Sequence, residues 1–193
     1  LMLEQLELAP GHSVLEIGAG TGYNAALMAH IVGESGRVVT VDIDEDIVER
    51  AREHLSLANF NNVRVICGDG ALGSRDGAPY DRVVLTVGAG DIGLAWRGQL
   101  EQDGRLLLPL EISGGMQLSV AFHQVDNHME SLSVRDCGFM MLRGAFARES
   151  MNTVQLGSDP GLSLTVDLSN VVDPGGAYQL LAGPHEDISF QIR

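Results

Sequence analysis

Up to Leu110, apolar residues fall into two alternating patterns, short continuous runs and longer stretches with helical spacing. Leu1, Leu3, Leu6 and Leu8, with Glu4 and Gln5 between them, read as the end of a helix stopped by Pro10-Gly11. Ser13-Val14-Leu15-Glu16-Ile17 is a short buried strand, and residues 23–31 form a helix in which Ala25, Ala26, Met28 and Ala29 pack closely. Residues 37–41 give a second strand ending in Asp42. Residues 44–57 give an amphipathic helix, with Asp44 placed to cap it and Ile47, Val48, Ala51, Leu55 and Ala58 recurring on one face. A third strand, 63–67, runs into Gly68-Asp69-Gly70. A fourth occupies 82–86, a helix is expected over 91–100, and Gly104 turns the chain into a fifth strand at 105–110.

Strands alternating with helices predict an α/β fold with a parallel sheet covered on both faces, which is why its strands read as unbroken apolar runs. After Leu110 the rhythm changes. Residues 116–123 and 129–135 read as successive strands with a turn near Asp126-Asn127, an antiparallel hairpin at one sheet edge. From about Ala147 the composition shifts again, with Gly157, Pro160-Gly161, Pro174-Gly175-Gly176 and Gly183-Pro184 punctuating short alternating runs such as 162–168. The expected organisation is a Rossmann-like domain over 1–146 and a small β-rich C-terminal extension over 147–193. No internal repeat or low-complexity tract interrupts either part.

The strongest chemical signal is Glu16-Ile17-Gly18-Ala19-Gly20-Thr21-Gly22-Tyr23. Such a loop lies between a strand and a helix N-terminus, where glycines let the backbone approach a ligand and free N–H groups favour an anion. A dinucleotide loop wants Gly or Ala where bulky Tyr23 stands. A triphosphate loop wants a Lys, and none is present. The Gly-x-Gly-x-Gly spacing, with Glu16 two residues before the first glycine, instead resembles the signature of S-adenosylmethionine (SAM) sites. Glu16 would then orient the ligand's ammonium end, directly or through water. Asp42, ending the second strand, is placed to accept the ribose hydroxyls, with Ile43 beside the adenine. Asp69 would accept from the adenine amino group, with Gly68 and Gly70 leaving room for the ring.

Composition narrows the partners. The chain carries 26 acidic and 12 basic residues, all the latter Arg, for a net charge of −14. Such a chain repels phosphate backbones, and its 5% aromatic content offers little for base stacking, so nucleic acid is a poor partner and a protein or peptide a better one. Cys67 and Cys137 lack metal-ligand spacing; Cys67 ends an apolar run and is expected to be a buried small hydrophobe. Two unlinked cysteines, no signal pattern and no membrane-length apolar run fit a reducing cytoplasm. His30, His54, His123, His128 and His185 show no metal spacing, so no metal is expected. Leu1 falls inside a helical pattern, and a segment upstream of it is expected.

Val14 to Ala26, with Tyr23 after the third loop glycine, resembles the opening of the protein-L-isoaspartate O-methyltransferase family, a branch of the class I methyltransferases. Gly68-Asp69-Gly70 with Gly73, Ala78-Pro79-Tyr80-Asp81, Asp103-Gly104-Arg105-Leu106, Gly115-Met116-Gln117-Leu118 and Gly138 to Gly144 resemble its later blocks. The resemblance covers residues 1–146. It implies a Rossmann-like sheet closed by the hairpin, SAM as cofactor leaving as S-adenosylhomocysteine, and O-methylation of an isoaspartyl carboxylate in proteins. It implies cofactor contacts from Glu16, Gly18, Ala19, Gly20, Thr21, Gly22, Tyr23, Asp42, Ile43, Gly68, Asp69 and Gly70.

Two features depart from the family. The family carries its Ser/Thr-rich substrate segment upstream of the first helix here, and this sequence starts after that point, so no catalytic residue is assigned. The loop Val87-Gly88-Ala89-Gly90-Asp91-Ile92-Gly93 differs from the family's pattern beside the methyl acceptor. With the C-terminal extension, this keeps open L-aspartyl O-methylation of a ribosomal peptide leading to a succinimide, and a small-molecule or natural-product methyltransferase. A SAM-binding module without turnover, and a tRNA methyltransferase disfavoured by charge, are further readings. A carboxylate is ionised near pH 7 and needs no general base. An acidic pocket of Glu16, Asp42 and Asp69 would match the charge of a sulfonium.

Overall fold

Strand β1 (Ser13–Ile17) lies inside a seven-stranded sheet, with parallel neighbours on both sides: β2 (Arg37–Asp42) and β4 (Tyr80–Leu85). Strand β3 (Val63–Cys67) adds outside β2, and β5 (Leu100–Glu111) adds in parallel outside β4. The hairpin of β6 (Gln117–Val125) and β7 (His128–Cys137) completes the order β3-β2-β1-β4-β5-β6-β7 antiparallel. This computed structural model describes residues 1–112, 116–126, 128–145, 151–156, 163–167 and 173–182. The expected Rossmann-like sheet with its terminal hairpin is present.

Alternation along the strands feeds two cores. Val14, Val38, Val84 and Leu107 pack with Ala25, Met28, Ala29 and Val32 of helix α2 (Tyr23–Val32) and with Leu6 of helix α1 (Met2–Leu6). Leu15, Ile17, Val39, Val83, Leu85, Leu106 and Leu108 point the other way and enclose Trp96. Helix α3 (Glu45–Leu57) buries Val48, Ala51 and Leu55, the spacing that its pattern predicts.

Four local expectations need correction. The helix expected over 91–100 shrinks to α4 (Leu94–Gly98), with Gly93 before it and Gly98 inside it, residues that hold a helix poorly. Gly104 does not turn the chain: it lies inside β5, where a Cβ would come 2.6 Å from Leu100 Cγ, and the pairing with β4 slips between Tyr80 and Arg82. Cys67 is exposed, because β3 is an edge strand and the residue sits at its carboxyl end, its thiol 3.9 Å from the Ile43 carbonyl. Asp44 stands at the N-cap of α3 but makes no side-chain capping bond.

The chain divides into two compact units, Leu1–Ala147 and Arg148–Arg193. In the second, β8 (Met151–Gln155) pairs antiparallel with β9 (Ser163–Asp167). The turn signal Pro174-Gly175-Gly176 opens helix α5 (Pro174–Ala182) instead, because Pro suits a first helical turn and the Asp173 carboxylate accepts from Gly175 N–H at 3.1 Å. Gly115, Asn127, Gly157, Pro160, Gly161, Leu162, Leu168, Gly183, Pro184 and His185, which entered the sequence reading, lie outside the described residues. No helix among the described residues is long and apolar enough to cross a membrane.

Candidate ligand-binding cleft

The carboxyl ends of β1, β2 and β4 open on a cleft of about 470 Å³, a size typical of small-molecule sites, at the point where the sheet's connections diverge. Its floor is the loop after β1. Gly18 has φ of 101°, and a Cβ there would come 2.6 Å from Thr86 Oγ1. Gly20, at φ 52°, would point a Cβ into open space. Thr86 donates its hydroxyl to the Gly18 carbonyl at 2.7 Å, while Gly18 N–H donates to the Val41 carbonyl at 2.8 Å. The loop is thus held from both neighbouring strands.

Asp42 fixes the same loop from the end of β2. Its Oδ2 accepts from Ala19 N–H at 3.0 Å and Gly20 N–H at 3.3 Å, and its Oδ1 accepts from Asp44 N–H at 3.2 Å. The carboxylate still faces the cleft, and a carboxylate offers about four acceptor sites, so it has capacity left for hydroxyl donors.

Glu16 is elsewhere. Strand alternation turns it away from the cleft-facing Ile17, and it is wholly buried. Its oxygens accept from Thr40 Oγ1 at 2.6 Å and Asn24 Nδ2 at 2.7 Å. Burial pushes its pKa up to about 7 against these two hydrogen bonds, with the Asp42 charge adding to the rise. Its side chain thus joins β1, β2 and α2 and does not line the cleft.

Asp69 is half-buried and does not line the cleft. It caps the 3-10 turn Gly70–Leu72 by accepting from Ala71 N–H at 2.9 Å, and accepts from Ala145 N–H at 2.8 Å. Gly144 passes so close to it that a Cβ would sit 2.6 Å from the carboxylate oxygens. The cleft is faced by the neighbouring Gly70, whose carbonyl accepts from the buried Trp96 Nε1 at 2.7 Å.

Of the residues singled out from the sequence, Gly18, Gly20, Asp42, Ile43 and Gly70 line the cleft, and Ala19 contributes through its N–H to Asp42. Glu16, Gly68 and Asp69 do not line it. Thr21, Gly22 and Tyr23 line a separate apolar groove between α2 and α3 instead, because the helix begins there and carries them around its axis. The acidic lining is Asp42 and Asp44 rather than Glu16, Asp42 and Asp69. Among the described residues, no group of three or more His, Cys, Asp or Glu could hold a metal.

The opposite wall is residues 139–143. Gln117 brackets Phe139, its Oε1 accepting from Phe139 N–H at 2.6 Å and its Nε2 donating to the Phe139 carbonyl at 3.0 Å. Gly88 N–H donates to the Met140 carbonyl and Leu142 N–H to the Gly88 carbonyl, both at 2.8 Å. Ala89 is held in turn by β5, donating to the Pro109 carbonyl at 2.9 Å and accepting from Glu111 N–H at 2.8 Å. Arg143 then reaches across to pair with Asp44. Thr86, Gln117 and Arg143 escaped the sequence reading as site residues. Thr86 carries a faint signal as the polar end of an apolar run; the others gain their roles only from the tertiary path.

The sequence model of the family described as Protein-L-isoaspartate(D-aspartate) O-methyltransferase (PCMT) matches residues 1–145. Among curated proteins, the protein-L-isoaspartate O-methyltransferase of Methanococcus maripaludis strain S2 is 35% identical over 144 residues, 75% of this chain and 67% of that protein. That of Methanothrix thermoacetophila is 44% identical over 110 residues, 57% of this chain and 52% of that protein. A solved structure of a protein-L-isoaspartate O-methyltransferase aligns with a TM-score of 0.72 and 30% identity, covering 81% of this chain and 54% of that one. A Plasmodium falciparum structure holding S-adenosyl-L-homocysteine shares the fold with a TM-score of 0.64 at 19% identity, over 74% of this chain and 72% of that one. Against the two curated relatives, the chain spans about half to two thirds of their length.

Proposed function

The chain belongs to the protein-L-isoaspartate(D-aspartate) O-methyltransferase family, and we propose that it transfers a methyl group from SAM to the carboxylate of an isoaspartyl residue in a protein or peptide. The observation that carries this reading is the glycine loop held on Asp42 at the head of the parallel strands, within the span that matches the family.

The cleft fits the donor by its own geometry. Gly20 leaves open space where a side chain would stand, and Gly70 has no room for a Cβ, which would lie 2.4 Å from Ile17 Cγ2. Gly18 and Gly20 would receive the amino-acid end, Asp42 the ribose hydroxyls, and Ile43 with Leu142 the faces of the adenine. With Asp44 paired to Arg143, the Asp42 carboxylate leaves the cleft lining net negative, which suits a cationic ligand. When bound, SAM supplies a sulfonium-activated methyl, which an acceptor carboxylate takes to give a methyl ester and S-adenosylhomocysteine.

The chain's own part is positioning. No His, Cys or Lys is among the described residues lining the cleft, and an ionised carboxylate requires no base. Holding donor and acceptor in line supplies up to about 7–11 kcal/mol of the barrier. The wall of Met140 and Met141, held by Gly88, would border the space for the acceptor and confine its approach. The partner in this reading is a protein or peptide, not nucleic acid or membrane, and two free thiols suit work in the cytoplasm.

Two matched peptides test the reading, one with L-isoaspartate and one with L-aspartate at the same position. Labelled SAM should place a base-labile methyl on the isoaspartyl peptide. Label on the aspartyl peptide alone would replace it with the peptide-modifying reading, and transfer only to nitrogen or phenols would overturn carboxyl methylation.

A further inference from the structure

The wall formed by residues 139–143 is a strap tied down at both ends. At one end Gln117 brackets Phe139, and Gly88 exchanges backbone hydrogen bonds with Met140 and Leu142. At the other, Asp69 accepts from Ala145 N–H, with Gly144 pressed against its carboxylate at φ 89°. Between the anchors Leu142 is buried, and Arg143 leaves the strap to cross the cleft. Arg143 is the only cation among the described residues lining the cleft.

Its partner stands on the opposite wall. Asp44 receives both guanidinium nitrogens, Nη1 donating to Oδ1 at 3.4 Å and Nη2 to Oδ2. The Asp44 N–H donates to Asp42, so the acidic half of the pair is fixed to the carboxylate placed to hold the ribose. The carboxylate is not spent on α3, since it makes no capping bond there. Arg143 and Asp44 are separated by 99 residues, and the pair joins two walls rather than neighbouring turns.

We propose that the Arg143–Asp44 pair is a clasp over the cofactor, closing the nucleotide side of the cleft and opening to release the spent S-adenosylhomocysteine; this rests on the cofactor assignment above. The strap is stiff because both ends are anchored, so opening requires only that the Arg143 side chain swing away. The two side chains are 61% and 41% exposed, and a pair so exposed is weak and screened by salt. It therefore slows escape without trapping the product.

The test is the release rate of tritiated S-adenosylhomocysteine from the full chain, chased with excess unlabelled ligand. Arg143→Ala and Asp44→Ala should each speed release roughly two- to fivefold at low salt, and the double variant should be no faster than either single one. Raising salt to about 0.5 M should bring the native rate up to that of the variants while moving theirs little. Arg143→Lys should recover part of the native rate. Release from both single variants at the native rate, or effects that add in the double variant, would overturn the clasp alone. Failure of the native chain to bind S-adenosylhomocysteine would overturn the cofactor assignment and the clasp together.

Discussion

Thr40 donates its hydroxyl to Glu16 Oε2 at 2.6 Å in the interior of the sheet, where neither residue is exposed to solvent. The bond links two adjacent parallel strands through side chains as well as backbone, one register position below the residues that reach the cleft.

This pair carries a pH signature. Folding raises the Glu16 pKa from 4.5 to about 7, so the native state holds an extra proton between those values. The contribution is fully present below about 4.5 and is lost as pH rises towards 7. Glu16→Gln removes the titration. Relative to the native chain, the variant should gain on the order of 2 kcal/mol between about pH 5 and about pH 8. Urea unfolding at both pH values measures this, and an equal difference at both would refute it.

Asp42→Ala should weaken SAM binding at least about tenfold, because it removes the proposed acceptor for the ribose and releases the Ala19 and Gly20 amides together. The residue is only half-buried, so the fold should survive. Calorimetric titration reads the affinity and far-UV circular dichroism the fold. Unchanged affinity would remove Asp42 from the cofactor site.

Gly18→Ala and Gly20→Ala should separate stability from binding. At Gly18 the methyl meets Thr86 and Val87 in a left-handed backbone, which should cost about 2–3 kcal/mol of stability. At Gly20 it meets nothing but the cleft, so the cost should stay near 1 kcal/mol while SAM affinity falls steeply. Thermal melts with and without ligand distinguish the two, and equal destabilisation would contradict the geometry.

Gln117→Ala should loosen the wall at Phe139 by deleting its paired backbone contacts. The expected result is a several-fold rise in KM for the acceptor peptide with stability lowered by about 1–2 kcal/mol. A change in kcat alone would place Gln117 in the chemical step instead.

The sheet was legible in the sequence for a physical reason. Strands buried on both faces read as apolar runs whatever packs on them, as in the buried Val83, Val84 and Leu85 of β4 and Leu106, Leu107 and Leu108 of β5. Asp42 was legible too, because the end of a parallel strand is a defined place. Glu16 and Asp69 do not line the cleft because sequence gives the residue but not the direction of its side chain, and each accepts from donors within the protein. Cys67 was misjudged because strand order, which puts β3 at the edge, is a tertiary property. Arg143 and Gln117 have no local signature, since their partners lie 99 and 22 residues away.

The cleft wall of residues 139–142 is joined through main-chain bonds: Gly88 to Met140 and Leu142, and Ala89 to Pro109 and Glu111. Main-chain bonds do not depend on which side chains hang from them. The path of the wall at Gly88 and Ala89 is therefore set by the backbone, and Gly88 must stay small, since a Cβ there would come 2.7 Å from Gln117 Nε2. In the proposed reading, main-chain bonds carry the shape of the acceptor's wall, and an exposed side chain such as Met140 is left to set which acceptor fits.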